Sequence, residues 1–203
     1  MNTYSQNKED LIIAEYFGDF KGNLLSIGEN DGRTFSNALA FIELGWKAHL
    51  VEPSWTFHKM VELHSENDNV KCHDFAIGDS FGFMTFYESG PHVKNGKDSA
   101  LVSTLDIEET KRWPNVEFKP IEVAVLEWKR AHWRMDYEQF DYISIDCEGN
   151  DLKILKQIDL SHTKVLIIEW NSIIDLKKAY QEYCLPFGLR IIHENAENLI
   201  FAR

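Results

Sequence analysis

Two short segments of the 203-residue chain set carboxylates beside glycines. The first, Gly28-Glu29-Asn30-Asp31-Gly32, follows the apolar run Leu24-Leu25-Ser26-Ile27. Its glycines let backbone come close to a ligand, and the start of a following helix offers free N–H groups. The second, Asp146-Cys147-Glu148-Gly149, follows Tyr142-Ile143-Ser144-Ile145 and carries two carboxylates that can hold or deprotonate a hydroxyl. Between them, Glu52-Pro53 ends the run Ala48-His49-Leu50-Val51, with Glu52 placed 52 − 32 = 20 residues after Gly32. A carboxylate at that place can accept hydrogen bonds from both hydroxyls of a ribose, so the set reads as a nucleoside-cofactor site.

The dinucleotide fingerprint GxGxxG, started at Gly28, requires glycine where Asn30 and Arg33 stand. The phosphate-cradling GK[ST] pattern has no match after this loop. S-adenosylmethionine has no pyrophosphate to cradle, so a looser turn crowded by carboxylates suits it. Its ammonium and sulfonium are cations that carboxylates and aromatic faces stabilise.

These loops need rigid elements to hold them. The runs at 24–27, 48–51, 70–75, 142–145 and 165–168 read as strands, and the segments between them carry helical spacing. Phe35, Ala38, Leu39 and Ile42 predict a helix that Gly45 stops; further helices are expected over 55–64, around Leu152-Ile154-Leu155, and over 176–183. Leu189–Ile192 and Leu199–Ala202 flank Glu194–Glu197 as a hairpin. Apolar strands alternating with helices predict an α/β fold, a mostly parallel sheet covered on both faces. Ligands of such a sheet bind at the carboxyl ends of its strands. The stretch 81–120 breaks the rhythm and reads as an insertion in one domain spanning 1–203, contributing to the acceptor side.

At this point the sequence resembles the FkbM-type S-adenosylmethionine-dependent methyltransferases, over nearly its whole length. Ser5-Gln6 with Glu9-Asp10, Leu25–Gly32, Ser36-Asn37, Gly45-Trp46, Val51-Glu52-Pro53, Phe75–Asp79 and Asp141–Gly149 match that family's landmarks in order. The resemblance implies a class I methyltransferase Rossmann-like fold with seven strands ordered 3-2-1-4-5-7-6, and methyl transfer from S-adenosylmethionine, commonly to a hydroxyl of a sugar or polyketide. It places Gly28, Glu29, Asn30, Asp31 and Gly32 on the methionine part, Glu52 and Pro53 by the ribose, and Asp74, Phe75 and Ala76 by the adenine. The family usually has Asp where this chain has Ser26 and Ala where it has Glu29, so Glu29 is the residue to supply the displaced carboxylate.

For the chemistry, Asp146 is expected to orient or deprotonate the acceptor and Glu148 to support it; the competing reading has Glu148 cap the following helix, with Gly149 and Asn150 as rivals. Gln6, Asn37, His92 and Asn171 are candidate acceptor contacts. No metal is expected, although Asp146, Glu169 and Asn171 form a weaker alternative set of hard oxygen ligands for Mg²⁺. Trp113 and Trp128 can serve as a sugar platform or as packing, the polar stretch 88–99 as a lid or as plain surface, and His49 reads as a satisfied sheet residue.

Composition narrows the field. With 21 Lys+Arg against 33 Asp+Glu the formal charge is 21 − 33 = −12, which opposes sequence-independent binding to nucleic acid. No apolar run approaches a membrane span, and Cys72, Cys147 and Cys184 lie too far apart for a CxxC metal or redox pair. The expectation is a reduced cytoplasmic protein with no nucleic-acid or membrane partner and an O-methyltransferase acting on a sugar, glycan or other small molecule, releasing S-adenosylhomocysteine. A catalytically silent cofactor-binding module and an NAD-binding domain are the alternatives. Neither the acceptor nor the oligomeric state is legible.

Overall fold

A computed structural model describes residues 1–91 and 100–203. Parallel strands β1 (Asn23–Ile27), β2 (Lys47–Val51), β3 (Val70–His73), β7 (Tyr142–Ile145) and β8 (Val165–Glu169) form the body of a seven-stranded sheet. A terminal hairpin of β9 (Arg190–Glu194) and β10 (Asn198–Ala202) completes it, with β10 antiparallel to both β8 and β9. The spatial order is β3-β2-β1-β7-β8-β10-β9. Counting only the strands of this sheet in chain order, that is 3-2-1-4-5-7-6.

The central strands are rich in Leu, Ile and Val because both faces are covered. One face carries Leu25, Ile27, Ile143, Leu166 and Phe201 with α5 (Asp151–Leu155) and α6 (Ile174–Cys184). The other carries Leu24, Ala48, Tyr142, Ile167 and Ile200 with α1 (Glu9–Phe17), α2 (Leu39–Glu43) and α3 (Phe57–His64). At the centre of that second face, Phe17, Phe41, Trp46 and Tyr142 meet edge-to-face or tilted.

The helix predicted from Phe35 begins only at Leu39. Asp31 accepts backbone N–H bonds from Arg33 (2.9 Å) and Thr34 (2.7 Å), tightening a turn, and Phe35 at φ 57° leaves helical geometry. Phe35 instead bridges to Ser5, bringing the N-terminal segment over the end of the sheet.

The irregular stretch is more ordered than its sequence suggests. β4 (Ala76–Gly78) pairs in parallel with β6 (Phe118–Glu127), and β5 (Gly82–Ser89) pairs antiparallel with β6 along its length. This three-stranded sheet spans 76–127, wider than the expected 81–120. β6 and the following α4 (Trp128–Arg134) carried no period that marked them in the sequence.

Candidate active site

Parallel register sets the site. Ile27 lies level with Val51 on one side and Ile145 on the other, and Ile145 is level with Ile168. The next residues, Gly28, Glu52, Asp146 and Glu169, therefore fall in one row at the carboxyl edge, where they line a cavity of about 330 Å³. That volume is at the lower end of the range that small-molecule sites take, roughly 300–1,000 Å³. Among the described residues its wall holds six carboxylates, Glu29, Glu52, Asp146, Glu148, Glu169 and Glu197, and no lysine or arginine.

The first loop closes on itself. Gly28 has φ 82°, and a Cβ there would sit 1.8 Å from the Asp146 carbonyl oxygen, so only glycine permits this approach of β1 to β7. Glu29 is buried; its carboxylate accepts hydrogen bonds from the Ser26 hydroxyl (2.5 Å) and from the Ser36 hydroxyl. Its carboxylate thus comes back to lie beside the side chain of residue 26. Burial pushes its pKa up to about 7 against the pull of the two serines, with Asp31 and Glu52 adding repulsion. Ser36 also accepts the N–H groups of Ala38 and Leu39, tying the start of α2 to Glu29.

Glu52 accepts the backbone N–H of Asn30 (2.8 Å) and of Ser54 (2.7 Å), so it pins the loop while lining the cavity, and burial raises its pKa. Asn30 Oδ1 is buried with no hydrogen-bond partner, an acceptor left over in the cavity wall. Pro53, Ala76 and Ile77 line the cavity too. Four expected cofactor residues do not. Asp31 spends its carboxylate on the turn, Gly32 faces Met60 and His64, and Phe75 is buried in the core. Asp74, too, is absent from the wall.

At the other end stand Asp146, Glu148 and Glu169, with one carboxylate oxygen from each within 4.8 Å of the others. Asp146 opens to the cavity; burial and then Asp151 raise its pKa to about 7. Burial, followed by mutual repulsion, holds Glu148 and Glu169 well above the usual carboxylate range. Glu148 does not cap α5. Asp151 does the local work, accepting the N–H of Cys147 (2.9 Å) and of Gly149 (3.2 Å). Glu148, at φ 42°, turns its carboxylate back toward the strand ends, and its carbonyl accepts the Thr104 hydroxyl at 2.7 Å, fastening the insertion to the site.

Gln6, Asn37 and Asn171 line the cavity, and Asn37 Oδ1 is another buried acceptor without a partner. Gln6 is delivered by a reciprocal contact: Asp10 accepts the N–H of Tyr4 and Ser5 while its own N–H donates to Ser5 Oγ. Trp113 lines the cavity, whereas Trp128 is core, stacked on His132 with centroids 4.8 Å apart. His49 is satisfied by His73 and Glu138. His92 and most of the expected lid, 92–99, lie outside the described residues. Sequence reading passed over Glu197, Ser144 and Ala100–Ser103, which also line the wall. Glu197 arrives because its carbonyl accepts the N–H of Trp170 and Asn171, a pairing of hairpin turn and β8 end that no local pattern announces.

A seven-stranded sheet of this order, with an acidic cleft at its carboxyl edge, has the form of a class I methyltransferase. Residues 26–186 match the methyltransferase FkbM domain, and the chain belongs to that family. It is thus an S-adenosylmethionine-dependent methyltransferase, and the NAD-binding alternative falls. No curated protein matches it by sequence. Among solved structures it is similar to a methyltransferase FkbM from Methylobacillus flagellatus KT, at 13% identity and TM-score 0.53, over 90% of this chain and 44% of that one. The chain thus spans less than half of that protein. It is also similar to a putative RNA methyltransferase, PH1948 from Pyrococcus horikoshii, at 12% identity and TM-score 0.49, over 97% and 82% of the two chains. No helix of the described residues is long and apolar enough to cross a membrane.

Proposed function

We propose that the chain methylates a hydroxyl of a sugar, glycan or other small-molecule acceptor. The observation that carries this reading is the wall of the cavity: six carboxylates and two orphaned amide oxygens, Asn30 Oδ1 and Asn37 Oδ1, with no lysine or arginine among the described lining residues. Such a wall suits a cationic cofactor and a neutral, hydroxyl-rich acceptor, and it repels a polyanion.

The residues present fit S-adenosylmethionine, which when bound supplies an electrophilic methyl group. Glu29 and Asn30 offer acceptors for an ammonium, Glu52 keeps a carboxylate at the ribose position, and Ala76 and Ile77 give an apolar side for the adenine. Asp146 orients the acceptor hydroxyl and takes its proton as the new oxygen–carbon bond forms and the sulfur–carbon bond breaks. Glu148, behind it, keeps the local field negative. Alignment carries most of the rate in such a displacement, so the rigid strand ends matter more than any single group.

The test is S-adenosylhomocysteine release over a panel of monosaccharides, glycans, small hydroxylated molecules and RNA. Turnover on a hydroxylated small molecule is expected, with Asp146→Asn lowering it about 10²- to 10⁴-fold, the range of a positioned general base. Turnover on RNA alone, or an intact rate in a folded Asp146→Asn, refutes the reading. Cofactor binding without release on any acceptor returns the chain to a silent binding module.

A further inference from the structure

We propose that Asp146, Glu148 and Glu169 hold a divalent cation of the hard, oxygen-seeking class, Mg²⁺ or Mn²⁺, at the acceptor end of the cavity. Three carboxylates from three segments, the end of β7, the turn after it and the end of β8, converge until one oxygen of each lies within 4.8 Å of the other two. Oxygen ligands sit about 2.0–2.1 Å from Mg²⁺ and about 2.3–2.6 Å from Ca²⁺, so opposite ligands stand roughly 4–5 Å apart. The three oxygens are thus spaced as the ligands of one such cation would be.

A second observation points to the same ligand. The Glu148 side chain is 8% exposed, and its Oε2 has no hydrogen-bond partner. Arg112 Nη1 forms a loose ion pair with it at 3.9 Å, beyond hydrogen-bonding reach, and gives its own hydrogen bond to Glu109. A buried carboxylate oxygen without a hydrogen bond is an acceptor that a bound ligand would satisfy. The cavity wall contributes no lysine or arginine to meet it among the described residues. A bound dication supplies the missing partner and balances the cluster.

The ligand set differs from the one the strand ends suggest, Asp146 with Glu169 and Asn171. The turn at Glu148, with φ 42°, brings a third carboxylate to the cluster, and Asn171 beside Glu169 pulls that residue's pKa down. Because Asp146 opens to the cavity, the cation keeps coordination positions for water and for the acceptor's oxygen. Neighbouring hydroxyls on one acceptor are the chemistry such an open position holds best. This role rests on the methyl-transfer reading above; binding of the cation does not.

The experiment titrates MnCl₂ into the chelator-stripped full chain, followed by electron paramagnetic resonance, with S-adenosylmethionine binding measured in parallel by calorimetry. One saturable Mn²⁺ per chain, displaced by Mg²⁺, is expected. Loss of an outer-shell partner of a ligand costs about 10- to 100-fold in metal affinity, so Glu148→Gln and Glu169→Gln should each weaken binding by at least about tenfold. Circular dichroism of the metal-free variants checks folding; their melting temperature should equal or exceed that of the parent, since each loses a repelling charge. No saturable Mn²⁺ binding, or equal binding in both folded variants, overturns the proposal. S-adenosylmethionine binding without Mn²⁺ binding overturns the cation site and leaves the methyltransferase reading standing. Saturable Mn²⁺ binding abolished by either variant, with no S-adenosylmethionine binding, supports the site and counts against that reading.

Discussion

Glu29 offers a direct measure of what this site costs the fold. Its carboxylate is buried, and its pKa is raised from 4.5 to about 7, first by burial. In the unfolded chain it ionises near 4.5, so between these values the native state holds a proton that the unfolded state has released. Stability then falls as pH rises: the favourable contribution is complete below about 4.5 and is lost as pH passes through about 7. At about 1.4 kcal/mol per pH unit, the separation corresponds to about 3 kcal/mol. Glu29→Gln keeps the shape, and its amide can still accept from one serine and donate to the other. Relative to the parent, the variant should gain about 1 kcal/mol at pH 5 and about 3 kcal/mol at pH 8. For a chain of this size the change between the two pH values amounts to about 5–10 °C in melting temperature. Urea unfolding of both proteins at several pH values follows the effect, because Glu29 is the one titratable group in which they differ. The same variant should bind S-adenosylmethionine about tenfold more weakly or worse, having lost a charged hydrogen-bond acceptor. A stability gap that does not change with pH, or that narrows as pH rises, refutes the reasoning.

Other substitutions test separate links. Gly28→Ala places a Cβ against the Asp146 carbonyl and forces a left-handed backbone on alanine. A cost of at least about 1 kcal/mol from the backbone alone, and loss of cofactor binding, should appear in thermal melts and calorimetry. Trp46→Ala empties the centre of the aromatic cluster and should cost about 3–5 kcal/mol by denaturant titration, with binding residues untouched. Thr104→Val keeps volume but orphans the Glu148 carbonyl; a loss of about 1–3 kcal/mol, with reduced turnover, is expected, and unchanged stability would show the insertion is not fastened there.

How far the chain could be read depended on whether the signal was local. Strand runs, the glycine turn after β1, the carboxylates after β1, β2 and β7, and the terminal hairpin follow from side-chain period and backbone freedom within a few residues. Those features were enough for the sheet, its order through the family likeness, and the edge at which a ligand sits. The small sheet over 76–127 was poorly legible, because β6 is half exposed and lacks a clean alternation.

What local pattern could not settle was which carboxylates face the cavity. Asp31 and Glu29 are two residues apart and chemically alike, yet one closes a turn and the other turns inward to two serines. Glu148 lines the cavity, whereas Asp151, three residues on, spends its carboxylate on the N–H groups of Cys147 and Gly149. Gln6 and Glu197, near opposite ends of the chain, reach one cavity through contacts that only packing creates. Residue type and spacing determine which groups are available at the strand ends. Burial, and competition among neighbouring donors for each oxygen, decides in three dimensions which of them remain free to meet a ligand.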